Sequence, residues 1–179
     1  MKKIAISLAG VAAAAAVGIA GWNYTVLQRP LDAVMAEDPR NAGLTARAHF
    51  ASYAQPREVV FDLRTVDTDK APVDVFRLFL QFAERLQGHR FDRVVLAHRG
   101  VAKFQIDGAY FQQLGREYST QNPAYTMRTF PEHLFRPDGT QAFGQWSGGV
   151  LGVLKKQMED FAEFHERWYL NDMIGGSEE

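Results

Sequence analysis

The chain has 179 residues, 46% of them hydrophobic, with 20 basic and 21 acidic side chains and no cysteine. A chain of this length buries one substantial core, so a single folded domain is expected. The lack of cysteine excludes disulfides, thiolate metal sites, cysteine nucleophiles and a lipid-modified N-terminal cysteine. Lys2 and Lys3 are the only charged residues before Asn23, which leaves 18 basic against 21 acidic residues in the rest of the chain, a net of about −3. Such a body lacks the basic face that nucleic-acid binding draws on, and nucleic acid is set aside as a partner.

Residues 4–22 carry no charge, a run of 19 residues. As a helix this run is roughly 28 Å long, close to the hydrocarbon thickness of a bilayer. Eight of the seventeen residues from Ile4 to Ala20 are alanine, so the segment is only weakly hydrophobic. Trp22 and Tyr24 stand where interfacial aromatics anchor a spanning helix. Residues 1–22 therefore read as a signal anchor, giving a single-pass inner-membrane protein with its body outside the cytoplasm. The alternative is a signal peptide cleaved after Ala16 or Ala20, which makes the body periplasmic or secreted.

Residues 23–43 hold Pro30, Pro39 and Gly43 among charged and small residues and read as a tether with one short helix near Leu31–Glu37. Residues 44–170 form the α/β domain. A helix is expected from Leu44 to Tyr53, ended by Gln55-Pro56. Val59–Val66 alternates, with Val59, Phe61 and Leu63 on one side and Asp62 and Arg64 on the other, the pattern of a half-buried strand. Pro72 opens a helix that runs to Gln87 before Gly88, with apolar residues on more than one face.

The apolar run Val94–Ala97 marks a central strand, Gly100 a turn, and Ala102–Ile106 a second strand of a hairpin. Asp107 caps a helix to Tyr118. Asn122–Thr140 shows no clear period, though Tyr125–Phe130 could add a short edge strand. A long helix follows Ser147 to Leu170, with an expected buried stripe of Val150, Leu151, Leu154, Met158, Phe161 and Trp168. Residues 171–179 read as a flexible tail. The order gives an α/β fold of the α+β type: a small mixed sheet built from a β-α-β-β-α unit, with helices mainly on one face, a long C-terminal helix and an N-terminal hydrophobic helix.

No motif names a reaction, and none calls for a cofactor. The five histidines His49, His89, His98, His133 and His165 stand at no metal-ligand spacing from one another, so no metal site is expected. His165 lies on the apolar stripe of the last helix and reads as a hydrogen-bonded core or boundary histidine.

His98 and Arg99 end the central strand, where an imidazole is placed to act as a base and a guanidinium to hold an oxyanion. Trp146, Ser147, Gly148 and Gly149 lead into the last helix, where free backbone donors attract anions and Ser147 is a helix cap. His133 follows Glu132 in a proline-bounded loop. These seven residues, His98, Arg99, His133, Trp146, Ser147, Gly148 and Gly149, are the candidate binding set. Two functions compete: a non-catalytic, membrane-tethered module that binds another envelope component through the open sheet face or the loop from Asn122 to Gly149, and a small-anion binder or hydrolase built on His98, Arg99, Ser147 and Gly148-Gly149.

Overall fold

The computed structural model of the chain describes residues 18, 21–52 and 55–175. The expected leader therefore falls mainly outside the described residues, as do residues 176–179 of the expected tail. Among the described residues, no helix is long and apolar enough to cross a membrane.

The first helix, α1, has a π-helical turn at Tyr24–Gln28 that runs directly into α-helix at Arg29–Glu37. The π turn has a local cause in Pro30, which has no N–H to give Val26 and whose ring crowds that carbonyl, and a widened turn relieves both. Leu27, Leu31 and Val34 of α1 are buried in the core. The segment expected as a tether thus holds a helix docked on the domain.

A four-stranded mixed sheet follows in spatial order β1-β2-β3-β4. Strand β1 is Leu44–Ser52, β2 is Gln55–Val66, β3 is Arg93–His98 and β4 is Val101–Asp107. The β1–β2 and β3–β4 pairs are antiparallel, and β2–β3 is parallel across the crossover helix α2, Pro72–Arg85. The helix expected from Leu44 is therefore a strand over Leu44–Ser52. Leu44, Ala46, Ala48 and Phe50 are buried while Thr45 and Arg47 between them are exposed, so the two-residue period that decides the matter overrides the helical preference of alanine.

Arg99 and Gly100 turn the β3–β4 hairpin with φ of 51° and 86°, as a tight two-residue turn demands. The buried Asp62 carboxylate accepts the Gly100 N–H at 3.0 Å and Arg64 Nη1 at 2.7 Å, fixing that turn to β2.

Helix α3, Gly108–Glu117, crosses α2 so closely that Gly115 lies against the Ala83 carbonyl. The short edge strand expected at Tyr125–Phe130 is instead helical: α4 spans Pro123–Thr129, and a 3-10 turn follows at Phe130–His133. Asn122 caps α4 by accepting the Ala124 N–H at 2.9 Å, and Pro123 supplies its first turn. Helix α5, Val150–His165, continues through a π-helical stretch at Glu166–Leu170 into α6, Asn171–Gly175.

The described helices with buried residues pack on one face of the sheet. Phe61 of β2 meets Phe79, Phe82 and Trp168, and Phe104 of β4 meets Phe164. The other face presents Thr45, Arg47, Arg64 and Arg93, with Val95 buried and Gln105 held between Arg93 Nη1 and the Arg136 carbonyl.

Candidate functional site

The expected buried stripe of α5 divides in two. Phe161 and Trp168 are in the core, but Val150 and Leu151 are 79% and 82% exposed and Met158 is 41% exposed. In the N-terminal half of α5 these residues, though spaced to face a core, are left largely uncovered by the described residues. Val150, Val153, Leu154 and Gln157 fall at helical spacing on one side of α5 and line a cleft of about 430 Å³ against α4.

Tyr125, Arg128 and Thr129 of α4 form the opposite wall, and Glu132, Trp146, Ser147 and Gly148 complete the lining. Tyr125 and Trp146 are 48% and 40% exposed. Trp146 Nε1 donates to Asp160 at 2.6 Å, which orients the indole, and Lys156 lies over its ring at 5.7 Å. Burial raises the Asp160 carboxyl above its ordinary pKa, against the Trp146 hydrogen bond. Arg128 stands over the Tyr125 ring at 5.6 Å. Glu132 accepts Gln157 Nε2 at 2.7 Å, tying the 3-10 turn to α5.

A second, smaller cavity of about 140 Å³ shares Tyr125, Thr129 and Glu132 with the first and adds Tyr110, Gln113, Glu117 and His133. The His133 ring stacks on Tyr110 at 3.7 Å. Burial lowers the His133 pKa, with Glu132 and Asp107 opposing the shift, so the imidazole is neutral near pH 7. Burial likewise raises the Tyr110 hydroxyl pKa, with Thr129 opposing the shift. The neutral imidazole stacked on the un-ionised phenol forms an aromatic wall of this cavity.

The candidate residues thus separate. Trp146, Ser147 and Gly148 line the larger cleft and His133 the cavity beside it, with Glu132 common to both. Ser147 does not cap α5, because the cap position belongs to Gly149, which makes no side-chain bond. His98 and Arg99 are absent from both linings. His98 is buried, and its Nδ1 lies 2.8 Å from Asp172 Oδ2 of α6.

Lys103 Nζ donates to the same carboxylate at 2.9 Å. Lys103 reaches it because the β3–β4 pairing slips between Leu96 and Ala97, leaving an extra residue that a bulge re-aims. The His98 bond, then the Lys103 bond, lower the Asp172 pKa.

Sequence reasoning missed Asp172 and Lys103, which no spacing links to His98, and missed Tyr110, Tyr125, Arg128 and Gln157 of the cavities. Among the described residues no group of three or more histidine or acidic side chains is placed to hold a metal ion. Comparison with protein-family models, with curated proteins and with solved structures gave no match.

Proposed function

We propose that this protein is a non-catalytic module, held at a membrane by residues 4–22 with its body outside the cytoplasm, that binds the apolar segment of another envelope protein in the cleft between α4 and α5. The observation that carries the reading is the apolar face of α5 that the described residues leave uncovered. Leaving Val150 of the cleft and Leu151 on the adjoining side of α5 in water forgoes on the order of 1.5–3 kcal/mol for each side chain that a partner would bury, and apolar patches of this kind mark interaction sites.

The cleft has the make-up of a protein interface. Aliphatic side chains form its floor, two aromatics flank it, and Arg128, Lys156 and Glu132 stand at its rim. The hydrolase or anion-binding alternative required His98, Arg99 and Ser147 to converge, and the cleft lined by Ser147 includes neither His98 nor Arg99.

A photo-crosslinking residue at Leu151 in the full-length protein, irradiated in intact membranes, tests the reading. It should give one discrete adduct with a different protein, lost when Leu154→Asp is added and absent with the crosslinker at Val101, which is exposed on β4. Adducts only with lipid, only with a second copy of the chain, or equally from both positions would contradict it.

A further inference from the structure

We propose that the body has no flexible stalk, and that one end of the sheet is seated directly on the bilayer surface. The inference rests on the reading of residues 4–22 as a membrane anchor and adds the orientation that the structure imposes on it.

The chain enters the described domain as helix: Gly18 and Gly21–Asn23 are helical, and Tyr24–Gln28 continues into Arg29–Glu37 without a break. That helix is locked to β1. The Trp22 ring stacks on Phe50 with centroids 4.8 Å apart, Asn23 Oδ1 accepts the Phe50 N–H at 2.9 Å, and Gln28 Oε1 accepts the Ala48 N–H at 2.8 Å. Leu27 and Leu31, fully buried, hold the next turns. The axis of α1 therefore fixes the direction from which the described chain enters the domain at Gly21.

That entry lies at one end of the sheet. Phe50 pairs with Val59, Glu58 with Arg93, and Arg93 with Asp107, so the start of β2, the start of β3 and the end of β4 share the end that Trp22 covers. The opposite end carries Val66, Asp69, Arg99 and Val101, about 20 Å away at ~3.3 Å per strand residue.

The near end suits a headgroup layer. Trp22 and Tyr24 are half-exposed on the first turns of α1, as interfacial aromatics are. Its charges, Arg57, Arg90 and Arg93 against Glu58, Asp92 and Asp107, balance, so anionic lipid meets no net repulsion.

The absence of cysteine makes single-site labelling clean. Full-length Ala51→Cys, Arg90→Cys, Asp69→Cys and Val101→Cys, each carrying a nitroxide, would be placed in phosphatidylcholine–phosphatidylglycerol vesicles containing headgroup-chelated nickel. Relaxation enhancement at positions 51 and 90 should exceed that at 69 and 101 by fivefold or more. A flexible Gly-Ser insert between Ala20 and Gly21 should abolish the difference.

Equal enhancement at all four positions in stably inserted protein would overturn the seating and leave the anchor standing. Release of the protein by alkaline carbonate would overturn the anchor, and the seating with it.

Discussion

The side-chain oxygen of Asn23 accepts a hydrogen bond from the backbone N–H of Phe50 at 2.9 Å, fastening α1 to the free edge of β1. Together with Gln28 on Ala48, it satisfies edge amides that would otherwise offer a template to another strand. Asn23→Ala and Gln28→Ala should each cost about 1 kcal/mol and Leu31→Ala about 3 kcal/mol, read as shifts of the denaturation midpoint of the full-length protein in detergent. A true tether would make all three silent.

His165 is fully buried among Phe76, Phe161, Phe164, Trp168 and Tyr169, and neither ring nitrogen has a hydrogen-bond partner among the described residues. It is a core histidine, as its place on the stripe implied, but without the expected hydrogen bond. Burial holds its pKa at about 3 against an ordinary 6.5. The unfolded chain therefore takes up a proton that the folded one refuses. Stability from this group is complete above pH 6.5, falls by up to ~1.4 kcal/mol per pH unit toward pH 3, and changes no further below it. His165→Phe should flatten that window in urea melts at stepped pH; an unaltered slope would contradict the buried neutral imidazole.

Asp172 joins α6 to His98 and Lys103. Its carboxyl pKa is lowered by those two bonds, so the contribution is present above the ordinary carboxylate range and lost as pH falls through the depressed value. The side chain is more than a third exposed, and solvent screening limits the effect of Asp172→Asn to below about 1 kcal/mol. The clearer readout is proteolysis: α6 should be trimmed several-fold faster in Asp172→Asn than in the parent.

Two glycines should respond oppositely to alanine. A Cβ on Gly115 would meet the Ala83 carbonyl oxygen at 2.2 Å, so α3 must move off α2, at a cost of about 2 kcal/mol or more. Gly152 in α5 has nothing within 4 Å of such a Cβ, and Gly152→Ala should gain about 0.5–1 kcal/mol of helix propensity. Equal thermal shifts would show that the crossing of α2 and α3 is misplaced.

The legibility of this fold follows the strength of its periods. The alternation of Val59, Phe61 and Leu63, the apolar run at Val94–Ala97 and the Pro72 helix start were plain because long-range packing agrees with local preference there. Strand β1 was not, because Ala46 and Ala48 fill a strand's buried side while favouring helix, and only pairing with β2 decides between them. Helix α4 was hidden although Asn122-Pro123 is a sound cap, since none of its residues is buried and it shows no apolar stripe.

At the candidate site, Trp146, Ser147 and Gly148 are singled out by their place before a helix, and they line the cleft. The face of α5 is legible as a stripe, but a helical stripe records what a helix prefers to cover, and the described residues leave Val150 and Leu151 of it exposed. The contact between His98 and Asp172 spans 74 positions, and no local pattern announces it.

The rate at which maleimide labels Leu151→Cys, the only thiol in such a variant, tests the central claim most directly. Labelling should be at least several-fold slower in native membranes than in the purified protein, while Val101→Cys reacts alike in both. Equal rates for Leu151→Cys in the two settings would mean that the apolar face of α5 has no partner and that the binding role is wrong.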